Sequence, residues 1–370
     1  MRATRAIIHL ENLRHNIRAL KRELAPGVKI CLAVKADAYG HGAARVSQAA
    51  IEEGIDVLGI ATVEEGVELR KSGIESPVLL LSLPVPEELP AIVGNRITPI
   101  VASRELVLLF AREAERRNRK VEVHLKIDTG MGRVGCRPEE AEDLAGLIFS
   151  HSWLSLGGVC THFPVSDIPG DPFTLRQIEI FRRCIESLKS RSIDPGIVHA
   201  ANSGAVINYP DSHFNMVRPG ILLYGYYPSK EQDRELELMP VMEFVTRIVF
   251  LKKVAKGTRL SYGLTYTTKG DSFIATLPVG YADGYSRLLS NRAEVAIQGR
   301  RYPVAGRICM DQCLVDLGSD TNVLLYDDAV LFGPGPGPPS AEDIADLMGT
   351  IPYEVTCLVG KRVPRVFVDP

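Results

Sequence analysis

The 370-residue sequence shows no excess of either charge: 43 Lys and Arg stand against 45 Asp and Glu, a formal net charge of −2. That gives no electrostatic case for nucleic acid, whose phosphates favour a basic surface. Long apolar runs are missing, and none reaches the ~18 residues of a membrane span. Residues 1–16, MRATRAIIHLENLRHN, lack the basic start, long apolar middle and small-residue cleavage site of an export signal. The seven cysteines are an odd number, scattered along the chain. Without an export signal they read as reduced thiols of a cytoplasmic protein. Cys309 and Cys313 lie four apart, but no second pair or nearby histidine completes a zinc set, so no metal is expected. Internal repeats and low-complexity tracts are absent. What remains is an ordinary globular mixture, 45% hydrophobic and 24% charged. A chain this long suggests two domains and buries about three quarters of its unfolded surface without covalent staples.

Eight short apolar runs punctuate the first 230 or so residues: KICLAV (29–34), VLGI (57–60), VLLL (78–81), TPIV (98–101), VEVHLKI (121–127), LSLGGVC (154–160), IVHA (197–200) and FNMVRPG (214–220). Segments between them carry helical spacing, as in Ser103 to Asn118 and Thr174 to Ser190. Strand–helix alternation implies a parallel sheet, and eight units fit a closed (β/α)8 barrel. Chemistry in such a barrel sits where the strands end. After residue 232 the texture changes to long alternating stretches such as MEFVTRIVFLKKVAKG and AEVAIQGRRYPVAGRICMDQCLVDLG, which read as antiparallel strands. The fold class expected is therefore α/β: a TIM-like barrel over residues 1–232 and an all-β domain over 233–370. GPGPGPP (333–339) reads as a rigid loop inside that second half, followed by one helix capped by Ser340. Residues 1–10 are expected to pair with the β domain.

Lys35 closes the first barrel run. An ammonium there is costly to bury, and desolvation lowers its pKa toward the neutral amine that attacks an aldehyde to form a Schiff base. A lysine at a strand end also reads as a snorkelling surface residue. The residues that follow, Tyr39-Gly40-His41-Gly42, offer a hydroxyl and glycine backbone suited to a phosphate. VRPGILLYG (217–225), after the eighth run, offers similar chemistry, and Ser203 in HAANSG adds a hydroxyl near the seventh. Phosphate sites after strands 7 and 8 recur in barrels. A lysine on strand 1 facing such a cradle suits a phosphorylated aldehyde cofactor.

AVKADAYGHG (33–42) resembles the lysine motif of alanine racemases. The resemblance continues in order through LKIDTGMGRVG (125–135), TH (161–162), ANS (201–203), VRPG (217–220), SYGLTYT (261–267), PVGYADGY (278–285), GRICMDQ (306–312) and IPYEV (351–355). It covers nearly the whole chain. One departure is Asp37, where the family usually has asparagine. The resemblance implies a homodimeric, cytoplasmic isomerase that uses pyridoxal 5'-phosphate (PLP) to interconvert L- and D-alanine, supplying D-alanine for the cell wall. It implies that Lys35 holds PLP covalently and exchanges a proton on one face of the substrate, with Tyr262 as acid/base on the other. Arg218 would meet the pyridine nitrogen. Tyr39, Ser203, Gly220, Ile221 and Tyr353 would hold the phosphate, and His162 would pack beside the ring. Arg133 and the backbone of Met310 would take the substrate carboxylate, with Tyr281 at the entrance. Lys126 matches a position carbamylated in some members. Asp167, Arg287, Arg307 and Ile351 resemble residues that narrow the substrate corridor. Three other readings stay open on sequence: a racemase for serine or another small amino acid, a PLP decarboxylase of basic amino acids, and a non-catalytic PLP carrier.

Overall fold

The computed structural model describes residues 2–232, 234–319 and 322–369. Strand β1 (Arg5–His9) leads into the helix Leu10–Glu23. Eight strands follow: β2 (Lys29–Ala33), β3 (Val57–Ile60), β4 (Val78–Leu80), β5 (Ile97–Val101), β6 (Val121–Lys126), β7 (Leu154–Cys160), β8 (Ile197–His199) and β9 (Met216–Val217). Each pairs in parallel with the next, and β9 pairs with β2, so the barrel closes. These strands are largely buried, which explains why they read as unbroken apolar runs. The crossover helices are amphipathic. The helix Arg104–Arg116 buries Leu106, Val107, Phe110, Ala111 and Ala114 on one face, and its Ser103 cap accepts the Leu106 N–H at 3.2 Å. All eight barrel runs form strands. The last is shorter than its sequence run, because Phe214 adopts φ +47° and Pro219 has no N–H to pair.

The C-terminal half is rich in β-structure: β10 (Met242–Arg247), β11 (Phe250–Val254), β12 (Arg259–Leu260), β13 (Tyr266–Thr267), β14 (Ser272–Leu277), β15 (Glu294–Ile297), β16 (Arg300–Pro303), β17 (Cys313–Asp316), β18 (Asp328–Phe332) and β19 (Arg365–Val368). A six-stranded sheet runs β16-β15-β18-β10-β1-β19. Within it β1 lies antiparallel to β10 and parallel to β19. A three-stranded sheet, β11-β14-β17, and the β12-β13 ribbon complete this half. The helix Ala341–Met348 is capped by Ser340, as its sequence suggests, through a reciprocal pair with Asp343. A second helix, Pro352–Leu358, starts on its proline and was not visible in the alternating pattern. Among the described residues, no helix is long and apolar enough to cross a membrane.

Candidate active site

Lys35 stands two residues beyond β2, and the chain then does something unusual. Ala36, Asp37, Ala38 and Tyr39 take φ of +51°, +53°, +54° and +53°, a full left-handed turn of non-glycine residues. Such backbone costs ~1–2 kcal/mol per residue, so the surroundings must impose it. They do so from several directions. The Ala36 N–H donates to Glu65 Oε1 at 2.6 Å, and the Ala43 N–H donates to Asp37 Oδ1 at 2.7 Å. An asparagine at 37 has the same acceptor oxygen, so the departure from the family pattern keeps this bond. His41 Nδ1 lies 2.9 Å from the Ala38 carbonyl and 3.0 Å from that of Tyr39, and burial pushes the imidazole down to about 4, so it donates as the neutral ring. Arg365 Nε donates to the Gly40 carbonyl at 2.9 Å. Gly40 itself has φ +81°, and a Cβ there would collide with the Thr356 carbonyl. The second helix of the C-terminal half thus presses directly on the turn behind Lys35.

The turn delivers Lys35 and Tyr39 to a cavity of about 370 Å³ in the mouth of the barrel, an ordinary size for a small-molecule site. Lys126, Arg133, His162 and Arg218 line it, together with Ser203, Gly220 and Tyr353. Ile221 is buried directly behind Gly220. The Tyr39 ring packs 5.1 Å from Tyr224 and 5.7 Å from Tyr353. Ser203 Oγ accepts the Gly220 N–H at 2.9 Å, and a Cβ on Gly220 would sit 2.6 Å from the Tyr39 hydroxyl. Three hydroxyls and a glycine therefore share one end of the cavity.

Two lysines, two arginines and a histidine line this cavity, and among the described residues no carboxylate does. Burial, then the positive charge of Arg133, lowers the Lys35 amine from its ordinary value, against a smaller opposing pull from Glu65. Burial likewise pushes Lys126 down to about 8. His162 is driven far below the usual histidine range by burial and by the charges of Lys126, Arg218 and Arg133, so it is neutral. Arg218 is buried and anchored at its tips: Nη1 donates to His199 Nδ1 at 2.8 Å, and Nη2 donates to the carbonyls of Thr161 at 2.7 Å and Ala200 at 2.9 Å. Its Nε has no hydrogen-bond partner among the described residues.

The remaining sequence-derived residues lie outside this cavity. Tyr262 begins a 3-10 turn of the C-terminal half and is 71% exposed. Its neighbour Ser261 donates to the Arg307 carbonyl at 2.7 Å. Tyr281 donates its N–H to the Cys309 carbonyl, beside the exposed Met310. Tyr262, Tyr281, Arg307 and Met310 therefore share one surface, and none of them lines the cavity that holds Lys35. Arg287 and Ile351 are exposed, and Asp167 is half-buried near Tyr353, whose hydroxyl is pushed up chiefly by burial, with a smaller push from the Asp167 charge. Sequence reasoning passed over Glu65, His199, Tyr224 and Arg365. Only the histidine left a signal, as a polar residue closing an apolar run.

Comparison with known proteins places these features. Residues 8–228 match the family described as alanine racemase, N-terminal domain, and residues 241–367 match the alanine racemase C-terminal domain. An alanine racemase of Treponema denticola is 50% identical, over 100% of this chain and 99% of that protein. One from Desulfovibrio desulfuricans is 43% identical over 98% of each. Among solved structures, alanine racemase of Clostridium difficile superposes with a TM-score of 0.95 at 40% identity, covering 100% of this chain and 96% of that one. The Bacillus anthracis enzyme with bound L-Ala-P superposes with a TM-score of 0.92 at 34% identity, over 100% and 96%. Matched in both halves and over its full length, this chain belongs to the alanine racemase family of isomerases.

Proposed function

We propose that this racemase interconverts L- and D-alanine with pyridoxal 5'-phosphate, at sites completed by a second copy of the chain. The observation that carries the reading is the cavity's donor set: the Lys35 amine held below its ordinary pKa, a three-hydroxyl cradle, and Lys126, Arg133 and Arg218 with no carboxylate among the described residues. That set fits a phosphorylated aldehyde whose phosphate meets Tyr39, Ser203, Tyr353 and the backbone of Gly220 and Ile221. Arg218 would face the pyridine nitrogen. Arginine donates only and stays charged, so it suits an unprotonated ring nitrogen. His162 would lie beside the ring. When bound, the cofactor supplies an electron sink for the pair left on the substrate α-carbon.

The chain's own groups do the rest. Lys35 anchors the aldehyde, and its Nζ takes or returns the α-proton on one face. Arg133 and the backbone of Met310 of the partner subunit would hold the substrate carboxylate. Inversion needs a second proton carrier on the opposite face, and the Tyr262 hydroxyl suits that role. Its exposure, away from Lys35 of the same chain, supports a head-to-tail dimer in which Tyr262 of the partner subunit completes the site. Residues 1–232 would form the cofactor-binding unit and 233–370 the unit that donates the tyrosine. Tyr281, with Asp167, Arg287, Arg307 and Ile351, would line a narrow corridor that favours a small side chain. Lys126, with its lowered amine beside Arg133, suits carbamylation. The bacterial relatives support a cytoplasmic enzyme that supplies D-alanine for peptidoglycan.

The test is a chiral assay with L-alanine, L-serine and L-lysine in parallel, in the presence of PLP. Fast D-alanine, slow D-serine and no D-lysine are expected. Mixing Lys35→Ala chains with Tyr262→Phe chains should restore activity, since a hybrid dimer keeps one intact site. Well-mixed hybrids that stay inactive would refute the shared site.

A further inference from the structure

The acid of one helix cap serves more than its own helix. Thr62 and Glu65 form a reciprocal cap at the start of the helix Val63–Lys71: the Glu65 N–H donates to Thr62 Oγ1 at 3.4 Å, and Glu65 Oε2 accepts the Thr62 N–H at 3.2 Å. Oε2 also accepts the Ala61 N–H at 2.8 Å. Oε1 turns the other way and accepts the Ala36 N–H, from a residue 29 positions earlier in the chain. At 2.6 Å it is the shortest backbone bond this carboxylate makes. Three other acids at the same helix position accept backbone N–H groups only from their own turn: Glu88 from Val85 at 2.8 Å, Glu140 from Arg137 at 2.9 Å and Asp343 from Ser340 at 2.9 Å.

The place of the Ala36 bond gives it its effect. A helical turn leaves its first amides without a partner inside it, and Ala36 is the first residue of the left-handed turn. Its N–H lies in the peptide plane that begins at the Lys35 Cα. A bond to that N–H therefore fixes the backbone rotation just after the Lys35 Cα, and with it the direction in which the side chain leaves the chain. Before the lysine, the Val34 N–H donates to the Gly59 carbonyl of β3 at 2.8 Å. Both flanks of Lys35 are thus held by one neighbouring segment, β3 and the five residues that follow it. Ala61, in that segment, lines the same cavity as Lys35.

We propose that Glu65 is a positioning residue for Lys35: its two oxygens tie the first amide of the left-handed turn to the exit of β3, a task that requires a carboxylate. That the lysine so held is catalytic rests on the function proposed above; the tie itself does not. A cap needs one accepting oxygen, so glutamine ordinarily serves there as well as glutamate. A glutamine at 65 would have one carbonyl oxygen and a donating amide. With its oxygen toward Ala61 and Thr62, its NH2 would face the Ala36 N–H, donor against donor. Since two bonds outweigh one, Glu65→Gln should keep its cap and release Ala36.

The experiment measures amide exchange in full-length wild type, Glu65→Gln and Thr62→Ala, read by mass spectrometry of fragments. In Glu65→Gln the amides of residues 36–39 should exchange about tenfold faster, the low end for losing a bond to a charged group, while those of 61 and 62 stay protected. Thr62→Ala weakens the same helix cap from its other side and leaves the Ala36 bond in place, so residues 36–39 should exchange as in wild type. In the PLP-loaded enzyme, kcat for alanine per folded protein should fall about tenfold in Glu65→Gln, with KM within about twofold, because the displaced group is the lysine and not the residues that meet the substrate carboxylate. Glu65 is half-buried and glutamine keeps its shape, so the fold itself is not at stake. Unchanged exchange at residues 36–39 overturns the inference. So does faster exchange with a wild-type kcat, or a Thr62→Ala protein that matches Glu65→Gln in both readouts. A wild type that makes no D-alanine, in which Glu65→Gln still frees residues 36–39, defeats the proposed function and leaves the tie standing.

Discussion

Gly220→Ala adds a single methyl at the closest contact in the cavity. Its Cβ would lie 2.6 Å from the Tyr39 hydroxyl, 3.2 Å from Cζ and 3.6 Å from Cε2. Tyr39 cannot swing away freely, since Tyr224 and Tyr353 pack against its ring. Overpacking of this kind costs about 1–3 kcal/mol. The hydroxyl is the offending atom, and it has no hydrogen-bond partner among the described residues, so Tyr39→Phe should relieve the clash and leave only the tight 3.2 Å approach to Cζ. The four proteins of the cycle would be unfolded by urea without cofactor. Gly220→Ala should lose about 1–3 kcal/mol, and the double variant should recover about 1 kcal/mol of that, a coupling typical of residues in contact. Strictly additive losses, or a Gly220→Ala protein as stable as wild type, would refute the steric argument.

Two further outcomes follow from neighbouring groups. Lys126 is pushed down to about 8 from an ordinary 10.5. Between those values the unfolded chain keeps a proton that the folded one has lost, so stability should rise with pH across that window. Lys126→Met should flatten this slope in carbonate-free buffer, and denaturation curves at several pH values will read it. Arg365 serves four carbonyls together, those of Gly40, Val359, Gly360 and Val363, whereas a lysine has only three N–H donors. Arg365→Lys should leave at least one of them unpaired, at a cost of about 1–3 kcal/mol. Amide exchange at residues 36–42 should quicken, and unchanged exchange there would show that the turn stands without this clamp.

The barrel was legible because its strands are buried on both faces and carry their signal locally. VLGI and LSLGGVC match β3 and β7 residue for residue. Lys35 was legible for the same reason: a charge directly after an apolar run is conspicuous. The left-handed turn was not. Ala-Asp-Ala-Tyr has no preference for that backbone, and the groups that impose it (Glu65, Thr356 and Arg365) come from distant parts of the chain. The helix at Pro352 hid for a similar reason, since its seven residues are too few to show a period. The meeting of His124 with His199, ring nitrogens 2.8 Å apart, was invisible because alternation along a strand says which residues share a face, never which atoms meet across a barrel. That Tyr262 stands exposed, outside the lining of the Lys35 cavity, is likewise a property of space.

The placement of β1 has a temporal meaning. It is made first among these elements, yet its two sheet neighbours are β10 and β19, the latter ending at Val368. The same late segment supplies Arg365 to the turn behind Lys35, and Phe367 to the face of Gly42. A ribosome releasing this chain would expose a nearly complete barrel well before the lysine's backbone is set. Only when β19 emerges can β1 find its second partner and the turn its clamp. Assembly of the chemistry thereby waits for β19, so that a product truncated before it lacks both the stitched sheet and a properly presented amine.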